Sequence, residues 1–185
     1  MQTLKYTLYF ILLWGLSGCG TPVYYSLSQA SVPAVSGYTE HRSIGVDKVT
    51  VPKYLFRREL ATAESSHRIR FDAQAEWAEE MDEGLTRRLI AYIQRSTHNP
   101  RVYGYPWGMD RQPDLKIHVD ITRFIARSGR VYLDASWYVE DMKQEKKRAR
   151  LFSVSLPAGS DSESIVAAMD QAFAQLEAAI VKGLR

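Results

Sequence analysis

The chain has 185 residues, which at roughly 100–200 residues per domain leaves room for one domain and a tail. Hydrophobic residues make up 45% and charged residues 24%, close to a globular average, so general disorder and collagen-like repetition are excluded. A formal net charge of +3, from 24 basic and 21 acidic residues, is too balanced for a nucleic-acid partner, and a single cysteine excludes an internal disulfide or a Cys-based zinc site.

Lys5 is the only charged side chain before Glu40. The apolar run that follows, Tyr6 to Trp14, has the length of a signal-peptide core and falls short of the roughly 20 residues a membrane span needs. It ends in Leu16-Ser17-Gly18-Cys19, small residues leading to a cysteine, which resembles the lipobox of bacterial lipoproteins. Residues 1–18 are therefore expected to be a lipoprotein signal peptide. Cys19 is the expected lipidation site, carrying covalent diacylglycerol and an N-acyl chain, with palmitate as the expected acyl label. A buried core cysteine is the alternative. More than one acyl chain makes an anchor effectively stable. Gly20, where an Asp would signal inner-membrane retention in that class, implies the periplasmic side of the outer membrane.

Residues 19–42 are rich in Ser, Pro, Gly and Thr and are predicted to be a tether with one short strand, Val23 to Leu27. Residues 43–185 are predicted to form a single domain. Ile44 to Val51 is its first strand, with a change of apolar parity at Asp47-Lys48 that predicts a bulge or bend, and Pro52 ends it. His67 to Phe71 is a short strand. Trp77, Met81, Leu85, Leu89 and Tyr92 recur at helical spacing and predict a helix from about Ala75 to Thr97, stopped by Asn99-Pro100. Leu115 to Ile121 and Val131 to Val139 alternate apolar and polar residues around the turn Ser128-Gly129-Arg130, and Phe152, Val154 and Leu156 continue the pattern. A last helix carries Ile165, Met169, Phe173, Leu176 and Ile180 on one stripe, with N-cap candidates between Ser160 and Ser164. The expected fold is α/β (α+β): a mostly antiparallel sheet, one face open, with two helices packed on the other.

Chemistry is sparse. The four histidines are dispersed, and neither a nucleophile elbow nor a phosphate-binding glycine loop occurs. His118 could pair with Asp120 or simply lie on a solvated face. The basic run Lys143 to Arg150 reads as a charged hairpin turn, or as an electrostatic contact with a partner or lipid headgroups. No metal or cofactor and no catalytic residue is expected. Two aromatic segments stand out: Pro52 to Arg58, with Tyr54, Leu55, Arg57 and Arg58, and Tyr103 to Gly108, with Tyr103, Tyr105 and Trp107. Exposed aromatic and Arg side chains favour interfaces, so these seven are the candidate partner-binding residues; the alternative is that they plug the ends of the sheet.

Val49 to Arg57 resembles the "V-x-x-P-x-Y-L-x-R" segment of the ABC-type transport auxiliary lipoproteins, the PqiC/YmbA-like family. Glu76-Trp77-Ala78-Glu79 is similar to that family's "W-A-E-P-L" segment, Phe124 to Trp137 to its glycine hairpin, and Ala167 to Ala172 to its final helix. Glu80, Phe56 and Asp170 depart from the pattern. The resemblance implies a non-enzymatic, outer-membrane-anchored periplasmic lipoprotein. It would be auxiliary to an intermembrane lipid transport system built on mammalian-cell-entry (MCE) domain proteins and contribute to envelope integrity. Its partner would be the periplasmic MCE protein, and a homo-oligomeric ring around a tunnel end fits that role. A lipoprotein regulator or scaffold of another envelope machine, a peptidoglycan synthase or barrel-assembly complex, is the alternative.

Overall fold

The computed structural model describes residues 21–28, 40–108 and 112–184. The expected signal peptide and Cys19 lie outside them. Eight strands and two helices follow in the order β1 (Val23–Tyr25), β2 (Ile44–Val46), a 3-10 turn (Lys53–Phe56), β3 (Glu59–Ala63), β4 (Ile69–Trp77), α1 (Met81–Thr97), β5 (Val102–Gly104), β6 (Leu115–Arg127), β7 (Arg130–Asp141), β8 (Lys146–Pro157) and α2 (Ser162–Gly183). The expected α+β class holds: one sheet, with both helices on one face.

β6 is the axis of the sheet. One of its edges pairs antiparallel with β7 along its length, and β7 pairs with β8. The other edge is shared. Its first half pairs parallel with β2, which carries β5, and its far end meets β3, which leads to β4 and β1. A register shift between Ile121 and Arg123 marks the change of partner. The 3-10 turn fills the fork, and the Phe124 N–H donates to the Tyr54 hydroxyl at 3.0 Å. The long ladders are antiparallel as expected, but the short ones that build the rest of the sheet are mostly parallel.

The alternation of β6 and β7 puts Leu115, Ile117, Val119, Val131, Leu133 and Trp137 on the helix side, all buried. The two helices lay Leu85, Leu89, Ile93, Met169, Phe173, Leu176 and Ile180 over them. Each large side chain so buried contributes on the order of 1.5–3 kcal/mol as an upper figure. Asp161 caps α2 by accepting the Ser164 N–H, and α1 ends in a left-handed residue, His98, before the buried Asn99.

Several elements differ from the sequence reading: the strand expected from Ile44 to Val51 ends at Val46, and the one expected from His67 to Phe71 runs from Ile69 to Trp77. Ala75 to Trp77 complete β4, and α1 begins at Met81. Trp77 keeps the four-residue spacing of the helical stripe only by coincidence: it sits on a strand between β1 and β3, and a register shift opposite Glu59 turns it to the core. Glu59 to Ala63, Ala-rich and weak in strand propensity, is a strand because β4 and β6 flank it. In the charged run, the turn ends at Glu145, and Lys146 to Arg150 belong to β8.

Across α1 and α2, Arg88 bonds Glu177 and Asp170. Asp170 also accepts the Ser28 N–H at 2.8 Å and its hydroxyl at 2.9 Å, so the segment after β1 is fastened to α2. Glu177 is fully buried; burial pushes its carboxyl up to about 7 against the pull of Arg88.

Candidate functional site: the open face of the sheet

The polar residues of β6, β7 and β8 point away from the helices and are only partly covered. An aromatic and cationic strip crosses this face. Its anchor is the segment after β5. The Tyr105 N–H donates to the Val46 carbonyl at 2.9 Å, and the Tyr105–Pro106 bond is cis. Trp107 then folds back over β2, its Nε1–H on Gln112 Oε1 at 3.1 Å. Tyr105 and Tyr103 meet the Trp107 ring edge-on, with centroids 5.2 and 6.5 Å away. Gly45 beneath admits this approach: a Cβ there would lie 2.9 Å from the Trp107 ring and 2.6 Å from Pro113.

Lys116 Nζ lies 5.8 Å from the Trp107 ring and 3.4 Å from Asp47. His118 bonds Asp47 through Nδ1 at 3.2 Å, rather than its sequence neighbour Asp120, and stacks on Tyr138 at 5.0 Å. Lys147 caps the other side of Tyr138, its Nζ 3.4 Å from the ring centroid. Flat rings with cations held over them form a rigid, amphipathic surface that loses little entropy on binding. Leu151, 89% exposed, adds an apolar point on β8. The outer edge of β8 pairs with no other strand among the described residues, and its Lys and Arg side chains guard that edge.

The seven candidate residues separate into two groups. Tyr103, Tyr105 and Trp107 sit together beside Lys116. Tyr54 sits beside Phe124, eight residues and roughly 26 Å of strand further along β6 than Lys116. Tyr54 is half-buried in the fork, where burial raises its hydroxyl's pKa. Leu55 is in the core at 3% exposure, so its side chain presents no surface. Arg57 is exposed, paired with Glu59 at 2.9 Å and lying 4.4 Å over the Phe71 ring. Arg58 is exposed, and its carbonyl accepts the Trp77 N–H. The sequence reading did not single out Lys116 or Tyr138, and it placed Lys147 only within the basic run Lys143 to Arg150, because each is ordinary by itself until the strands bring them side by side. Among the described residues, no three His, Cys, Asp or Glu side chains gather as a metal site.

A comparison with curated proteins gives no match. Among solved structures, an uncharacterized protein superposes with a TM-score of 0.73 at 24% identity, covering 90% of this chain and 100% of its own. A protein from Xanthomonas campestris superposes with a TM-score of 0.74 at 16% identity, covering 86% of this chain and 92% of its own. At these identities the likeness concerns the fold. The sequence itself matches the family described as the ABC-type transport auxiliary lipoprotein component over residues 25–181, from the end of β1 almost to the end of α2. That span takes in nearly the whole sheet and nearly all of both helices, and the chain belongs to the ABC-type transport auxiliary lipoprotein family.

Proposed function

We propose that the protein is anchored to the periplasmic side of the outer membrane through acylated Cys19 and serves an MCE-based intermembrane lipid transport system as its docking component, contributing to envelope integrity. The family match over residues 25–181 carries this reading, since it makes the chain an auxiliary lipoprotein of an ABC-type transport system. The lipobox-like Leu16 to Cys19 supplies the anchor. The strip from Trp107 through Tyr138 to Lys147 supplies a surface with the aromatic and cationic composition of an interface. Tyr103, Tyr105 and Trp107 form its centre; Arg57, Arg58 and the exposed part of Tyr54 form a second contact. Its role is to bind and position, with no reaction of its own.

The test is co-purification of the periplasmic MCE protein with this chain from detergent-solubilised membranes. Retention that is lost in Trp107→Ala and Tyr105→Ala supports the proposal. Absence of any association, with envelope sensitivity to detergents unchanged on deletion, rejects it. Recovery of a peptidoglycan synthase or barrel-assembly component instead would favour the scaffold reading.

A further inference from the structure

The open face holds a second concavity that the aromatic strip does not use. It lies at the far end of β6, where β3 and β4 turn back through Ser65 to Arg68 beside β6 and β7. Its volume is about 440 Å³, within the roughly 300–1,000 Å³ of small-molecule sites. The floor is apolar, built by Ile69, which is 40% exposed, by Ile125, and by the Tyr132 ring. The rim is basic: His67, Arg68, Arg123 and Arg127 line it, and no Asp or Glu does so among the described residues.

The three arginines are not equally engaged. Arg123 is held by Asp134 at 2.6 Å and lies 4.5 Å from the centroid of the Tyr132 ring, so it is fixed in place. Arg68 reaches Glu64 only at 3.6 Å, and its side chain is 77% exposed. Arg127 has no acidic partner among the described residues. Guanidinium groups above an apolar floor match a phosphate joined to hydrocarbon, because the planar fork bonds the phosphate oxygens while the floor takes the apolar part.

The path of the chain gives this cavity an orientation. β1 runs parallel to β4, with Val23 beside Ala75, so the chain enters the sheet from the side on which β4 begins at Ile69. Cys19 precedes Val23 by four residues, at most about 14 Å of chain. The cavity therefore lies on the side of the domain from which the proposed anchor arrives. This orientation rests on the lipid-anchor reading above; the chemistry of the cavity does not.

We propose that this cavity binds the phosphate headgroup of an anionic phospholipid, Arg68 and Arg127 engaging the phosphate and Ile69 and Ile125 the first part of an acyl chain. The domain would then touch the membrane at a second point besides its own anchor.

The test uses the full chain in nonionic detergent micelles doped with photoactivatable phosphatidylglycerol, with labelled peptides mapped by mass spectrometry. Label is expected on peptides that contain Ile69 and Ile125 to Tyr132. It should fall fivefold or more in Arg68→Glu/Arg127→Glu and in Ile69→Asp, with unchanged melting curves showing that the variants fold. Photoactivatable phosphatidylcholine should label the cavity several-fold less, and inorganic phosphate should compete weakly. Equal labelling by both lipids, label spread over the helix face, or full competition by inorganic phosphate or by an acidic peptide would overturn the proposal. Because the micelles require no acylation, a cavity that fails to bind and a cysteine that fails to be acylated are separate results.

Discussion

Tyr54 shows how one side chain serves the fold at a place the sequence marked as an interface. Its hydroxyl accepts the Phe124 N–H where β6 changes partner, so its polar end is committed inside the sheet. Tyr54→Phe should cost about 1–3 kcal/mol, the penalty for leaving a buried N–H unpaired, read as a shift of the denaturant midpoint. An unchanged midpoint contradicts this role. Asp170, a departure from the family pattern, has an internal use: it joins Ser28 to Arg88. Glu177 beside them sets a pH dependence. Arg88, Asp170, Arg95 and Tyr92 face it, and burial raises its folded pKa from 4.5 to about 7. The folded state then holds a proton that the unfolded state releases, so this group's contribution falls as pH rises from about 4.5 to about 7. The loss should be on the order of 1–3 kcal/mol, and Glu177→Gln should flatten it in urea titrations at pH 5, 6, 7 and 8. Asp114, held low by Lys143 and Ser43, acts oppositely, and its contribution is lost only at strongly acidic pH. None of these partnerships can be seen in the sequence, because Ser28, Arg88 and Asp170 are ordinary polar residues until two helices and a tether segment meet.

Among the elements, α2 and the β6–β7–β8 meander were legible because each holds its period over five or more residues and lies beside its neighbour in the chain. The short strands were not. β2, β3 and β5 have three to five residues each, and they are strands because distant segments flank them. Tyr103 and Gly104 belong by sequence to an aromatic segment with no strand pattern, and with Val102 they form β5 because β2 lies beside them. The α1 boundary failed because Trp77 falls at helical spacing from Met81 across a strand-to-helix turn. The aromatic segment after β5 depends on the bare surface of β2. Gly45→Ala should therefore lower stability by about 1–3 kcal/mol through overpacking against Pro113 and Trp107 and should red-shift tryptophan emission as Trp107 lifts from the sheet. Wild-type emission and stability in this variant would show that Trp107 is not seated there.

At the scale of the whole molecule, the fold class and the family could be read from patterned strands and ordered motifs, but the order of strands could not. β6 is shared between two branches that are far apart in the chain, and that sharing separates the Tyr54 group from the Trp107 group by the eight residues from Lys116 to Phe124. The candidate residues thus fall into two separate groups, with Leu55 in the core and outside both. The helices cover the opposite face, which leaves the open face as the broad surface for a partner. Anchoring is tested separately by feeding labelled palmitate to cells, with incorporation into the wild-type chain and none into Cys19→Ser. The central claim is docking through the open face. It is tested most directly by placing a photocrosslinking residue in living cells at Tyr105, 63% exposed at the β5 edge of that face beside Trp107, and at Glu163, on the first turn of α2. The account predicts a crosslink to the periplasmic MCE protein from Tyr105 and none from Glu163. A crosslink to that protein from Glu163, with none from Tyr105, would contradict it.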